Sequence, residues 1–210
     1  MSIDRYRLVF WDFDGVIKDS VDVKTDAYIR LFDGCDGDIA EKVRAHHLAN
    51  GGMSRFDKLP LYLRWAGLEP SEARVSEFCE RFSQLALQGV IAAPWVPGVE
   101  GYLQRNPHRQ SFVLVSATPQ DELELILQAL DLKKCFTDVF GAPTSKKEAI
   151  RMTLENCSIA PQDCLMIGDA RADLDAAEAN KVPFLLRRHT TNANVFAGYN
   201  EFSVEDFTTL

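Results

Sequence analysis

Two aspartates separated by a single residue follow a short apolar stretch near the start of the chain. Residues 8–11 are all apolar, and Asp12, Phe13, Asp14 and Gly15 come directly after them. The apolar stretch predicts a buried strand. Carboxylates at the end of such a strand are costly to bury unless they have partners. Because alternate residues of an extended chain point to the same side, both carboxylates could act on one substrate. One could attack phosphorus while the other handles the proton on the leaving oxygen.

Other groups with suitable chemistry follow three later apolar stretches. They are Ser116 and Thr118, then Lys146 or Lys147, then Asp169 and Asp173. In an open parallel sheet, ligands bind beyond the carboxyl ends of the strands, so we expect these groups to meet there. A hydroxyl and backbone N–H groups can hold phosphoryl oxygens, a lysine offsets negative charge, and carboxylate oxygens suit Mg²⁺. The set predicts Mg²⁺-dependent phosphoryl transfer through a covalent aspartyl-phosphate.

Short apolar stretches alternate with amphipathic ones over much of the chain. The predicted strands cover residues 8–11, 112–115, 136–140, 164–167 and 182–186. The predicted helices between the later strands cover residues 120–130, 146–156 and 171–180. Strands that are apolar throughout and alternate with helices predict an α/β fold, with a doubly wound, mostly parallel sheet covered on both faces.

The interval between the first two predicted strands is too long for a single crossover. It contains no convincing strand, and its amphipathic stretches at 22–32, 55–65 and 71–87 predict helices, the last beginning near Ser71. We therefore expect an α-helical cap domain over residues 16–96, inserted into a core domain. The predicted core comprises residues 1–15 and 97–210, with prolines marking the return of the chain to the sheet.

The composition restricts the classes of partner. A net charge of −8 makes nucleic acid a poor partner, because binding it needs a basic face. We see no apolar span long enough to cross a bilayer and no signal-peptide pattern, so we expect a cytoplasmic protein without a membrane partner. Five scattered cysteines without a C-x-x-C pair predict reduced thiols and no zinc site. A monomer and a homodimer are both compatible with the sequence.

Four motifs in the expected order resemble those of the haloacid dehalogenase superfamily. D-x-D-G-[TV] matches residues 12–16, and a Ser or Thr after the second strand matches Ser116. G-x-P-x-x-K matches residues 141–146, and G-D-x-x-x-D matches residues 168–173. The similarity covers nearly the whole chain and points to the branch with a helical cap after the first strand, which includes phosphoglycolate phosphatases and β-phosphoglucomutases.

The resemblance implies a role for each matching residue. Asp12 would be the nucleophile and Asp14 the general acid and base. Ser116 and the N–H of Ala117 would hold the phosphoryl group, and Lys146 would stabilise its charge. Branches of this superfamily that cleave carbon–halogen bonds lack the second aspartate, so Asp14 favours phosphate esters.

The same resemblance implies the ligands of Mg²⁺. Asp12, Asp169 and the main-chain carbonyl of Asp14 would hold the ion, with Asp173 nearby or reaching it through water. A simpler alternative for Asp173 and Asp175 is that they favour the N-terminal end of a helix.

For two other positions, the sequence leaves a structural role open beside the functional one. Ser116 could cap the helix after Pro119 as well as hold phosphate. Lys146 and Lys147 are adjacent, and the spacing from Gly141 favours Lys146, although lysines at a helix start are commonly solvated.

The predicted cap contains a turn at Gly51 and Gly52 between basic residues. His47 and Arg55 are the predicted substrate contacts there, with Lys58 a weaker candidate. The alternative is a plain interhelical turn with a solvated basic face.

The leading hypothesis is a Mg²⁺-dependent phosphatase that acts on a small phosphorylated metabolite, a phosphosugar or a phospho-acid. The first alternative is a phosphomutase of the β-phosphoglucomutase type, which uses the same core but excludes water before a second transfer. The second is a non-catalytic phosphate-binding protein, against which the intact set of acids argues.

Overall fold

The computed structural model describes residues 3–35 and 37–209. Six strands form one parallel sheet: β1 Leu8–Trp11, β2 Ser111–Pro119, β3 Asp138–Ala142, β4 Cys164–Gly168, β5 Phe184–Arg187 and β6 Ser203–Val204. Their order across the sheet is β3-β2-β1-β4-β5-β6. β1 thus lies between β2 and β4, so its carboxyl end adjoins the ends of two other strands that precede predicted site residues.

The pairing register brings these strand ends to the same level. Trp11 at the end of β1 is opposite Leu114 of β2 and Ile167 of β4. The N–H of Asp12 donates to the Ile167 carbonyl at 3.0 Å, which extends the pairing by one residue. Residues that follow these positions therefore face one another at the carboxyl edge of the sheet, where parallel sheets bind ligands.

The described part of the chain contains eight α-helices. They are α1 Val21–Arg30, α2 Ile39–Ala49, α3 Arg55–Trp65, α4 Glu72–Ala92, α5 Val99–Arg105, α6 Gln120–Ala129, α7 Lys146–Cys157 and α8 Arg171–Ala179. No helix among the described residues is both long enough and apolar enough to span a membrane.

Helices cover both faces of the sheet, as the apolar strands require. Leu8 and Phe10 of β1 belong to an apolar cluster with residues of α7 and α8. Val9 and Trp11, which point the other way, belong to a second cluster with residues of α5 and α6. The predicted α/β fold with a doubly wound parallel sheet is confirmed.

The helices α1–α4, here called the insertion helices, lie between β1 and α5 in the sequence. They pack on one another through aromatic side chains, with the ring centroid of Tyr28 4.1 Å from that of Phe82. α3 and α4 begin after Ser54 and Ser71, whose side chains each accept a backbone N–H of the first helical turn. Both helix starts agree with the sequence-based expectation. The division into a core and a cap at residues 15–16 and 96–97 stays a prediction.

Two strands begin two residues later than predicted. The third strand was expected at 136–140 and the fifth at 182–186, but pairing starts at Asp138 and Phe184. Val182 is buried, yet its N–H bonds to the carbonyl at the end of α8. Apolar residues just before a strand can thus be buried while their backbone still belongs to the preceding turn, which pattern alone does not distinguish.

The C-terminal segment, whose role the sequence left open, packs on the sheet domain. β6 pairs with β5, and Phe207 is 1% exposed with its ring centroid 5.5 Å from that of Trp11. The N–H of Phe207 donates to the Pro97 carbonyl at 2.8 Å. Gly98 has a φ of +85°, and a Cβ there would lie 2.3 Å from the Phe207 carbonyl carbon. Glycine is required for this close approach.

Candidate active site

Asp12 follows β1 directly and is only 4% exposed. Its Oδ1 accepts the N–H of Phe13 at 2.7 Å and lies 2.8 Å from Nζ of Lys146. Burial and the neighbouring Asp173 raise the pKa of Asp12 to about 7, although Lys146 opposes them. The carboxyl group is therefore fixed in place by backbone and lysine, and its charged form would be favoured by a further cation.

Asp169 and Asp173 lie beside Asp12, at the end of β4 and in the first turn of α8. One carboxylate oxygen of each of the three residues lies within 4.8 Å of the other two. Gly15 and Gly168 allow this approach, since a Cβ at Gly15 would lie 2.2 Å from Asp169 Oδ2, and one at Gly168 would lie 2.3 Å from Asp173 Cβ. Burial raises the pKa of both Asp169 and Asp173, and like charge adds to this effect.

Lys146 joins two of these carboxylates. Its Nζ lies 2.6 Å from Asp173 Oδ1 as well as 2.8 Å from Asp12 Oδ1. Burial lowers the pKa of Lys146, but the two carboxylates outweigh it and hold the pKa above its ordinary value. Lys147 is exposed, and its main-chain carbonyl accepts a hydrogen bond from the side chain of Asn180. Of the two adjacent lysines, the structure places Lys146 at the site.

The donor set fits a small divalent cation. All three clustered carboxylates are buried, and oxygen ligands with net negative charge are what Mg²⁺ prefers. Asp173 uses both oxygens, one for Lys146 and one for the N–H of Ala170 at 3.0 Å. Among the described residues, Asp12 Oδ2 and Asp169 Oδ1 accept no hydrogen bond, which leaves them free to ligate. Asp12 and Asp169 thus fit direct ligation, and Asp173 fits a supporting position.

Asp14 turns its side chain away from this cluster. Ser20 donates its hydroxyl to Asp14 Oδ1 at 2.7 Å, and Lys24 of α1 forms an ion pair with Oδ2. Lys24 also donates to Thr118 Oγ1 at 2.8 Å. Burial raises the pKa of Asp14, but Lys24 and Ser20 outweigh it and hold the pKa below its ordinary value. Any contact of Asp14 with a metal would therefore have to come from its main chain, as the resemblance implied.

Ser116 lies inside β2 rather than after it. The strand continues to Pro119, with an irregular register beyond Val115. Ser116 is 1% exposed, and its Oγ accepts the N–H of Thr118 at 3.1 Å. α6 has no side-chain cap, so the alternative in which Ser116 caps that helix is wrong. Ala117 lines the cavity at the strand ends.

Arg55 pairs with a carboxylate of the sheet domain. Its Nη1 and Nη2 donate to the two oxygens of Glu122 on α6, at 2.9 and 2.8 Å. Nη1 also donates to Ser83 of α4, and the guanidinium carbon lies 4.5 Å from the centroid of the Phe82 ring. Burial raises the pKa of Glu122, but Arg55 outweighs it and holds the pKa below its ordinary value. The charge of Arg55 is therefore largely neutralised within the protein.

His47 and Lys58 form a second buried contact on the insertion side. His47 belongs to α2 rather than to the turn, and its Nδ1 lies 2.8 Å from Lys58 Nζ. Burial and the adjacent Lys58 hold the pKa of His47 well below its ordinary value, so the ring is neutral. Both residues and Arg55 are buried, so the alternative of a solvated basic face is wrong. The turn at Gly52 lies against α8, where a Cβ would be 2.9 Å from the Cβ of Ala172.

Three charged or titratable groups near the site were missing from the sequence-based set. Lys24 lies on the buried face of α1 together with Tyr28, and a charge on an apolar helix face was an available signal. His189 follows β5 at the same sheet edge, and its Nε2 lies 2.8 Å from Asp169 Oδ2. Glu122 gave no signal, because acidic residues are common in the first turn of a helix.

A cavity of about 70 Å³ lies between the strand ends and the insertion helices. Its core side is lined by Asp12, Asp14, Lys146 and Asp169. Its insertion side is lined by Lys24, His47, Arg55 and Lys58. Convergent charged groups in a small cavity suit a small charged ligand.

Two curated relatives share part of this sequence. A phosphoglycolate phosphatase from Shigella boydii is 32% identical over 111 residues, which is 50% of this chain and 43% of that protein. Phosphoglycolate phosphatase 1 from Pseudomonas aeruginosa is 29% identical over 185 residues, which is 82% of this chain and 66% of that protein. The chain therefore spans less than half of the first relative and about two thirds of the second.

A solved structure and a family model extend the comparison to most of the chain. The fold is similar to that of β-phosphoglucomutase from Clostridium difficile, with a TM-score of 0.74, 21% identity, and coverage of 98% of this chain and 93% of that one. The model of the haloacid dehalogenase-like hydrolases matches residues 6–180, which include β1 through α8 and every clustered carboxylate. The family resemblance seen in the motifs is thus confirmed, and the chain belongs to the haloacid dehalogenase-like hydrolase family.

Proposed function

We propose that this protein is a divalent-metal-dependent phosphatase that hydrolyses a small phosphate monoester through a phosphorylated Asp12. The observation that carries the proposal is the position of the Asp12 carboxylate at the cavity, 2.8 Å from Lys146 and clustered with Asp169 and Asp173. Membership of a hydrolase family and similarity to two phosphoglycolate phosphatases support it.

In the first half of the reaction, a carboxylate oxygen of Asp12 attacks phosphorus and the bond to the ester oxygen breaks. Asp14 must carry a proton at this stage, which it gives to the departing alkoxide, and Lys146 offsets the negative charge on Asp12 and on the phosphoryl group. In the second half, water attacks phosphorus and gives a proton to Asp14, the bond between phosphorus and the Asp12 oxygen breaks, and inorganic phosphate leaves. The contacts of Asp14 with Ser20 and Lys24 favour its ionised form, which suits this second role.

Bound Mg²⁺, with Asp12 and Asp169 as side-chain ligands and the Asp14 carbonyl as a third, would offset charge on the phosphoryl oxygens. Asp173 supports this arrangement by holding Lys146 and the start of α8. The phosphoryl group would lie against Ala117 of β2, and Ser116 shapes the strand there because its Oγ accepts the N–H of Thr118.

The insertion helices limit the size of the substrate. A cavity of about 70 Å³ with charged residues on both sides suits a small metabolite, a short phosphosugar or a phospho-acid, rather than a protein. The names of the two curated relatives support a phospho-acid among these.

The test is phosphate release from a panel of small phosphate monoesters by the purified protein with Mg²⁺. We expect Asp12→Asn to lower kcat by about a thousandfold or more, as loss of a nucleophile does in other enzymes. Asp33→Asn is the matched control, because Asp33 is exposed on the insertion side.

Undiminished phosphate release by Asp12→Asn would overturn the assignment of the nucleophile. Conversion of a sugar phosphate to its isomer without phosphate release would favour the phosphomutase alternative. Binding of esters with no turnover by the wild-type protein would favour a non-catalytic phosphate-binding role.

A further inference from the structure

Lys58 of α3 is a buried amine that faces the cavity. Its side chain lines the cavity although the residue is only 1% exposed. Nζ lies 2.8 Å from Nδ1 of His47 and 5.7 Å from the centroid of the Tyr28 ring. Within the described ranges, His47 is its one hydrogen-bond partner. A lysine this deeply buried normally has a carboxylate beside it, because an unpaired buried charge is costly.

The other lysines and arginines that line the cavity all have carboxylate partners within the protein. These pairs are Lys24 with Asp14, Arg55 with Glu122, Lys146 with Asp12 and Asp173, and Arg171 with Asp175. Lys58 has no carboxylate within ion-pair distance in the part of the chain that the structure describes. Lys58 is therefore the cavity-lining lysine that is available to bind an anionic group of a ligand.

The surroundings of Lys58 favour binding of an anion. Burial and the charge of Lys24 together lower the pKa of Lys58 to about 7, although Asp14 opposes them. His47 is neutral and offers Nδ1 as an acceptor, so it directs the amine without cancelling its charge. An anion beside Lys58 would favour the ammonium form, in the way any opposite charge raises the pKa of a lysine.

We infer that Lys58, directed by His47, binds a second anionic group of the substrate, a carboxylate or a second phosphate. The inference rests on the proposed phosphatase function and names the substrate class: phosphate monoesters with a second acidic group a few bonds from the phosphate. The small cavity, about 70 Å³, favours two groups that are close together.

This assignment differs from the one expected from the sequence, where Arg55 was the stronger candidate and Lys58 the weaker. Both oxygens of Glu122 are bonded to the Arg55 guanidinium, so a substrate anion would have to compete with a carboxylate already in place. At Lys58, an anion would displace no charged partner among the residues that the structure describes. Binding of the second anion therefore costs less free energy at Lys58 than at Arg55.

The experiment compares three esters of similar length with the purified enzyme and Mg²⁺. Phosphoglycolate has a carboxylate, 2-hydroxyethyl phosphate has a neutral alcohol in its place, and ethylene glycol bisphosphate has a second phosphate. We expect kcat/KM to be about 10- to 100-fold higher for at least one acidic ester than for the neutral one, the usual worth of a hydrogen bond to a charged group. The acidic ester with the higher kcat/KM shows whether the second anionic group is a carboxylate or a phosphate.

Lys58→Met is the test variant, because methionine is nearly the same length, uncharged and suited to a buried position. We expect it to lower kcat/KM for the acidic ester by about 10- to 100-fold and so to remove the preference over the neutral ester. Lys42→Met, at an exposed lysine of α2, is the matched control and keeps the preference. Equal losses on all three esters, or no preference in the wild type, would overturn the inference while leaving the phosphatase function intact.

Equilibrium binding provides an outcome that does not depend on turnover. In the Asp12→Asn background, calorimetry with the same three esters should show tighter binding of an acidic ester, and Lys58→Met should abolish the difference. If no ester is hydrolysed by the wild type, the proposed function fails, and equal affinities here would overturn the assignment of Lys58 separately.

Discussion

The two sides of the cavity differ in the elements that supply them and in the sign of their charge. The core side presents carboxylates at the ends of β1 and β4, with Lys146 bonded between two of them. The insertion side presents basic groups from α1 and α3, chiefly Lys24, Arg55 and Lys58. The acidic side fits a cation and a nucleophile, and the basic side fits an anion.

The two sides of the cavity also differ in the structure that fixes the position of their charged groups. The carboxylates follow strands in the middle of the sheet, where backbone pairing on both sides fixes their positions. The basic groups lie on helices and reach the core through side chains, as in the pair of Arg55 with Glu122. We attribute the reaction to the first set and recognition of the rest of the substrate to the second, so changes on the two sides should have separable effects.

The largest effect is expected from a substitution that breaks the ion pair between Arg55 on the insertion side and Glu122 on the core side. Glu122→Gln removes the partner of Arg55, which is 4% exposed, and leaves its charge buried. We expect the free energy of unfolding to fall by about 3 to 5 kcal/mol, the usual cost of breaking a buried ion pair from one side. Denaturant unfolding measures this, with Glu124→Gln at an exposed position of the same helix as the control. An unchanged midpoint would mean that the pair contributes nothing to docking the insertion helices.

A second change acts on the core side alone. Asp169→Asn should raise the Mg²⁺ concentration needed for half-maximal activity by about 10- to 100-fold or more, since even supporting residues of metal sites have effects of this size. Burial raises the pKa of Asp169, so its charge destabilises the metal-free protein above that pKa. The variant should therefore melt at a higher temperature than wild type without metal, and at a lower one with saturating Mg²⁺.

Asp175→Asn is the control for that experiment, because Asp175 is an exposed acid on α8 outside the cluster. Identical Mg²⁺ responses of wild type and Asp169→Asn would place the cation elsewhere.

A third change removes the basic group that contacts a core acid. Lys24→Met deletes the ion pair with Asp14 and the hydrogen bond to Thr118. We expect kcat to fall about tenfold with little change in KM for a neutral ester, because the proton-transfer group loses its orientation. Steady-state kinetics separate the two constants, and Lys134→Met at an exposed site is the control. A rise in KM alone would indicate that Lys24 binds substrate instead of positioning Asp14.

The smallest expected effect is a pH dependence on the insertion side. Lys58 has a pKa of about 7 and faces His47 and Tyr28, with the charges of Lys24 and Asp14 nearby. It is charged below that pKa, so the preference for an acidic over a neutral ester should be largest there and decline as pH rises. The ratio of their kcat/KM values should fall about threefold over one pH unit centred on 7. Taking a ratio cancels titrations that both esters share.

The same ratio in Lys58→Met should not change with pH. A parallel decline in the variant would assign the titration to another group.

The core side was largely predictable because its signals are local. Asp12 and Asp169 each come directly after an apolar stretch, and the carboxyl ends of parallel strands meet at one edge. The choice of Lys146 over Lys147 was favoured by spacing, and the structure places Lys146 between two carboxylates. The insertion side was predicted only as a set of basic residues, since pairing there depends on helix packing.

The order of the elements, the parallel sheet and the acids at its edge follow from the sequence by itself, because they depend on apolar periodicity and on short spacings along the chain. Only the tertiary structure decided which charges neutralise each other. Arg55 and Glu122 are 67 residues apart and meet only in the folded chain. That contact occupies Arg55, whereas Lys58 has no carboxylate within ion-pair distance among the residues that the structure describes. Ion pairs form between neighbours in space, and no local pattern records them.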